Sequence, residues 1–122
     1  MQYEISTVND TVTVKFEGTL SALDLIFMNQ DPSYRQALNH NTKLFLDFSQ
    51  IVGSTLTAED TTGLALLGKR DAEKATNIHL VILLGYAEAE SIGMVLKTIF
   101  AGSTWKVTVA ETRDEARQAL QQ

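Results

Sequence analysis

The sequence predicts an α/β fold: a mixed, mainly parallel sheet of about five strands, with an N-terminal hairpin and covering helices. Three observations carry that expectation. Strand-like and helix-like segments alternate along most of the chain, the order that crossover connections between parallel strands produce. Two compact apolar runs, Lys43 to Phe48 and Ile78 to Leu84, lack an in–out alternation, as strands covered on both faces do. Residues 11–17, in contrast, alternate strictly, which puts Val12, Val14 and Phe16 on one face of a half-buried strand.

Residues 2–7 and 11–17 read as the two strands of a hairpin, with Asn9-Asp10 supplying the turn chemistry and Gly18 ending it. Leu23, Ile26 and Phe27 have helical spacing and predict a short helix near 21–28. Asp31-Pro32 interrupts that pattern. Proline suits a first helical position with the aspartate before it as cap, so a second helix is expected from Pro32 to about Asn39, with Tyr34 and Leu38 inward. The buried strand 43–48 follows, then a helix over about 58–75 with Leu64, Leu67 and Ala72 among its apolar positions. Thr57 with Asp60 three residues later resembles a capping box at its start. The strand 78–84 ends at Gly85, and Ile92, Val95, Leu96 and Ile99 form a stripe on a helix expected from Glu88 to about Phe100. Residues 105–109 alternate as a strand, and Thr112 with Glu115 is a capping box that opens a final helix with Ala116, Ala119 and Leu120 inward.

At 122 residues the chain fits one domain, 1–122, able to bury a core without staples. Zero cysteine excludes disulfides, thiolate metal sites and cysteine nucleophiles. His40 and His79 stand in no ligand-like spacing, so no metal site is expected, and no cofactor motif is present. The net charge of −5 speaks against nucleic-acid binding, because an acidic domain repels phosphate backbones. No apolar run reaches the length of a membrane span, and the first residues do not read as a signal peptide, so a cytoplasmic location is expected.

The residues that bear chemistry are few. Asp47, at the end of a buried strand, is the best isolated carboxylate, since ligands of such sheets gather beyond strand carboxyl ends; its structural alternative is a hydrogen bond to the following loop. Glu59, Asp60 and Glu73 read as solvated helix positions. Neither histidine has a serine and aspartate to complete a triad, and Gly63 and Gly68 do not make a phosphate loop; they read as sites of close helix packing or of partner docking. The informative feature is a cluster of hydroxyls, Ser54, Thr55, Thr57, Thr61 and Thr62, in the loop after the buried strand and the first turn of the next helix. Capping accounts for Thr57 but poorly for Thr62. Phosphorylation is the functional alternative, adding about two negative charges at a helix start.

The run Asp60-Thr61-Thr62-Gly63-Leu64-Ala65-Leu66-Leu67, after the strand Leu44-Phe45-Leu46-Asp47-Phe48-Ser49, resembles a STAS domain. That family includes anti-sigma-factor antagonists and cytoplasmic tails of sulfate transporters. The C-terminal half is similar to the SpoIIAA-like proteins, which share a STAS or Sec14-like fold; the similarity runs from Ile78 to Leu83, through Ile92 to Phe100 and Trp105-Lys106-Val107, to Thr112, Glu115, Ala116 and Arg117.

The resemblance implies a non-catalytic regulatory module that binds a protein partner, an anti-sigma-factor-like kinase or another regulator, through Asp60, Thr61, Thr62 and Gly63. It implies phosphorylation at Thr61, with phosphate dissociating the complex. A second expectation, from the Sec14-like label, is a carrier or sensor of a small apolar ligand, with Leu23, Ile26, Phe27 and Met28 as a lid and Met94 and Phe100 lining a pocket. Leu25, Phe27 and Met28 also suggest an apolar patch for a homodimer.

Overall fold

The computed structural model describes residues 2–74, 77–84, 97 and 104–121. Five strands form one sheet in chain order: β1 (Gln2–Val8), β2 (Thr11–Leu20), β3 (Lys43–Ser54), β4 (His79–Leu83) and β5 (Lys106–Ala110). β1 pairs antiparallel with β2, and every later pairing is parallel, as the alternation predicts. The described helices are α1 (Ala22–Gln30), α2 (Pro32–His40), α3 (Ala58–Lys74) and α4 (Arg113–Leu120). The helix expected over 88–100 lies outside the described residues apart from Lys97.

The hairpin turns at Asn9, whose φ of 57° lies in the left-handed region that asparagine tolerates better than most residues. Val12, Val14 and Phe16 are fully buried and pack with Leu44, Phe48, Leu80 and Ile82 against Met28, Tyr34 and Leu38 of α1 and α2. On the opposite face Phe45, Val81, Leu83 and Ala110 meet Ala116 and Ala119 of α4. Each fully buried Val, Ile or Phe contributes about 2 kcal/mol of desolvation, so these two clusters dominate the stability. The part of that second face formed by β1 and β2 carries Glu4, Ser6, Thr11, Thr13 and Lys15, none of them buried.

β3 differs from the sequence expectation. Residues after Phe48 were expected in a loop, yet the strand runs on to Ser54. Its register against β2 moves from Lys15 opposite Asp47 to Glu17 opposite Gln50, and again from Gly18 opposite Ile51 to Thr19 opposite Gly53. Each shift leaves an extra residue on β3. The first bulge flips the inward parity, so Phe48 and Ile51 enter the same core although three residues apart. That broken period is why the strand ended early in the sequence reading. β2 likewise continues past Gly18 to Leu20, with Gly18 at φ +89° beside the second shift.

A side chain at that φ is strained even with open space around it. Gly18→Ala is therefore expected to lower stability by about 1 kcal/mol, read as a reduced urea midpoint with an unchanged denaturant slope.

Candidate functional site

The bulged extension of β3 builds one corner of the molecule. β2 and β3 end side by side, with Leu20 opposite Ser54 and the Thr55 amide donating to the Leu20 carbonyl at 2.9 Å. A helix leaves each strand at this edge. Ser21 caps α1, its Oγ accepting from the Asp24 amide at 3.3 Å and donating to the Asp24 carboxylate at 2.6 Å. Thr57 caps α3 in a reciprocal box: the Asp60 amide donates to Thr57 Oγ1 at 3.0 Å and the Thr57 amide to Asp60 Oδ2 at 3.1 Å.

This cap sets the rotation of α3. Thr61, four residues on, turns inward; it is 6% exposed, and both its amide and its hydroxyl donate to the Thr57 carbonyl at 3.1 Å. The expectation of Thr61 as a phosphoacceptor meets a physical obstacle here, because a buried, donating hydroxyl is not presented to a kinase in this conformation. Thr62 is exposed, and its hydroxyl makes only a local bond to the Ala58 carbonyl at 3.1 Å. Asp60 is committed to the cap. Gly63 is exposed, and among the described residues nothing beyond its own helix backbone and chain neighbours lies within 4 Å of where a β-carbon would stand, so close packing does not explain it. Of the four residues expected at a partner surface, Thr62 and Gly63 thus face outward, Asp60 lies at the rim, and Thr61 points into the interior.

Beneath α3 lies a partly enclosed cavity of about 100 Å³. Leu64 and Leu67 of α3 face Leu46 and Phe48 of the sheet across it, Trp105 and Leu56 lie in its wall, and Thr61 and Gly68 line it as well. Left empty, a void of this size costs on the order of 2 kcal/mol. The lid expected from α1 is corrected by the structure: Leu23 and Phe27 are 63% and 60% exposed, Ile26 also points outward, and of the four expected residues only Met28 lines the cavity, beside Leu25 and Asn29. The apolar patch expected from Leu25, Phe27 and Met28 shrinks for the same reason, since Met28 is buried and Leu25 half-buried. Met94 and Phe100 lie outside the described residues.

Polar pairs invisible to local sequence reading hold the corner together. The Asn29 amide of α1 donates to Asp71 of α3 at 2.7 Å, with both side chains buried, and Arg35 of α2 approaches the same carboxylate at 3.7 Å. Burial and the Asp71 charge push the phenol of Tyr34 well above its ordinary range, keeping it neutral. Asp31 ends α1 and caps α2, accepting from the Ser33 amide and the Tyr3 hydroxyl at 2.9 Å each. Asp47 is buried on the far face of the sheet. Desolvation alone would raise its carboxyl, but bonds from the Ser49 amide at 2.9 Å and from Arg113 at 3.3 Å outweigh that and hold it below its ordinary value. This is the structural alternative for Asp47 rather than a catalytic one. His79 meets Thr108 Oγ1 at 2.7 Å, and burial, with Lys106 and Lys43 on either side, lowers its imidazole. Among the described residues no group of three or more His, Asp or Glu could hold a metal ion, and no helix is long and apolar enough to cross a membrane.

A five-stranded sheet numbered in chain order, an antiparallel first strand and a capped helix after β3 define a STAS-type, SpoIIAA-like fold. The anti-sigma factor antagonist SpoIIAA in its unphosphorylated form superposes with a TM-score of 0.59 at 16% identity, over 98% of each chain. SpoIIAA, the Bacillus cell fate determinant, in its phosphorylated form matches equally well, at 15% identity over 98% of this chain and 99% of that one, with a TM-score of 0.59. An uncharacterized protein of the DUF3478 family with a SpoIIAA-like fold, from Shewanella loihica PV-4, gives 0.59 at 18% identity over 96% and 90%. At these identities the likeness is one of fold. No family model and no curated protein matches the chain.

Two consequences can be measured. Thr57→Ala removes the cap of α3 and is expected to cost about 1 kcal/mol in chemical denaturation. Because the Asp47 carboxyl is lowered in the folded state, its contribution is full above the ordinary value of 3.8 and is lost as pH falls through the lower folded value. Urea midpoints between pH 5 and pH 2 should therefore drop less steeply for Asp47→Asn than for the parent chain.

Proposed function

We propose that this protein is a non-catalytic regulatory module that works by binding another protein through the outward side of the first turns of α3. The observation that carries the reading is Gly63. A glycine inside a helix costs about 1 kcal/mol relative to alanine, and at this position the surrounding space is open. The folded chain gains no packing from it, whereas a partner backbone laid against α3 would. Leu66, one turn further along α3 and 52% exposed, extends the surface with an apolar side chain. The fold shared with an anti-sigma factor antagonist supports the same class of function. An anti-sigma-factor-like kinase is the partner the resemblance implies; a second copy of the chain, docking through the exposed Leu23 and Phe27 of α1, is the alternative.

A phosphate switch fits this surface through a specific residue. Phosphate on Thr62 would sit on the exposed side near Glu59 and Asp60, turning the surface strongly negative without disturbing the core. Phosphate on Thr61 requires the first turn of α3 to unwind, because the side chain is buried under its own helix. The likeness to SpoIIAA in its unphosphorylated and phosphorylated forms supports a switch of this kind.

Two pairs of variants test the reading. Thr61→Glu buries an unpaired carboxylate and is expected to cost about 3 kcal/mol or more, whereas Thr62→Glu should denature within about 0.5 kcal/mol of the parent. Gly63→Ala should raise stability by about 1 kcal/mol, since the added methyl meets open space and favours the helix. Affinity capture from the cells of origin, quantified by mass spectrometry, should then show one partner held by the parent chain and lost with Thr62→Glu and Gly63→Arg. Retention of every captured protein by both folded variants would refute the assignment of this surface.

A further inference from the structure

The cavity beneath α3 has the character of a binding site in its own right, independent of whether the outward side of the helix binds a protein. Two of its polar neighbours are engaged: the Thr61 hydroxyl donates to the Thr57 carbonyl at 3.1 Å and the Asn29 amide donates to Asp71 at 2.7 Å. The rest of the wall is mainly apolar, with Leu46 and Phe48 on the sheet side, Leu64 and Leu67 on the helix side, and the aromatic rings of Tyr34 and Trp105. A mainly apolar hole of this kind favours an apolar guest over water, which needs two or more polar partners to be held. Size sets the class. About 100 Å³ admits a single ring or a short branched hydrocarbon, well below the roughly 300 Å³ at which ordinary cofactor and lipid-sized sites begin.

From this cavity the geometry points to a site for a small, uncharged, apolar molecule of about one aromatic ring, bound between α3 and the sheet. Such a guest restores contacts that Leu64 and Leu67 lack in the empty protein and pins the helix from beneath. Because Thr61 stands in the cavity wall, the guest also supports the first turn of α3 directly. No hydrogen bond or ion pair is asked of it, so the selectivity is one of shape and volume.

Benzene is the probe, and the intact chain is the sample. Titration followed by methyl NMR should give saturable shifts at Leu46, Leu64 and Leu67 and at the indole N–H of Trp105, the one tryptophan of the sequence. At a concentration of ten times Kd, amide exchange that proceeds by opening of the empty site should slow by about tenfold along α3. Leu67→Phe fills the space from within and should weaken benzene binding at least tenfold while the chain stays folded. Absence of saturable shifts in the parent chain up to the solubility of benzene overturns the proposal whatever the variants do. Tighter binding of a dodecyl chain than of benzene, with shifts in the same residues, overturns the single-ring class.

Discussion

Two hydrogen bonds between Thr57 and Asp60 decide which side chains α3 shows to its surroundings, because starting a helix one residue earlier or later rotates all that follows by about 100°. With the cap at Thr57, Thr61 and Leu64 face the sheet while Thr62, Gly63 and Leu66 lie on the other side. A cap at Asp60 would make Thr61 the first helical residue and leave its hydroxyl in water. The cap position depends in turn on β3. Its two extra residues against β2 bring the strand to Ser54 beside Leu20 and fix where the next turn must begin. One local box, placed by a bulged strand, thus connects sheet register to the identity of the accessible hydroxyl.

The long-range polar contacts keep that arrangement from drifting. Asn29 and Asp71 lie 42 residues apart in sequence and fix the far end of α3 against α1, where both groups are too buried for water to replace the bond. Losing either partner would strand the other, at a cost of about 1–3 kcal/mol. Asp47 and Arg113, 66 residues apart, perform the corresponding task on the opposite face, where Arg113 also reaches Ser49 at 2.9 Å. The cavity lies between the two fixed ends of α3, under Leu64 and Leu67. A helix anchored at both ends and unsupported in its middle can change its packing without losing its place.

Much of this was legible in the sequence, and the successes have a common cause. The hairpin at Asn9-Asp10, the boxes at Thr57 and Thr112, the Asp31-Pro32 junction and the inward pair Tyr34 and Leu38 all rest on interactions within a few residues. The extension of β3 was not legible, because a bulge breaks the period on which strand reading relies, and Ile51 enters the core out of phase with Leu44. The inward turn of Thr61 followed from the cap, yet the family motif drew attention to the hydroxyl rather than to its direction. Neither Arg113 nor Asn29 carries any local mark of its partner. For Gly63 the sequence leaves close packing and partner docking both open, because a glycine carries no mark of what surrounds it; the open space beside it removes the packing alternative.

The order of the strands has one more consequence. Each strand of the sheet pairs with the one made just before it, so the sheet grows from one edge to the other in the direction in which a ribosome delivers the chain. The β1–β2 hairpin needs only two turn residues to close, and it then offers a completed edge on which β3 can align. No strand has to be threaded between two that are already in place. For a mostly parallel sheet, whose distant pairings are otherwise slow to form, this sequential layout shortens the time during which an unpaired edge is open to another chain.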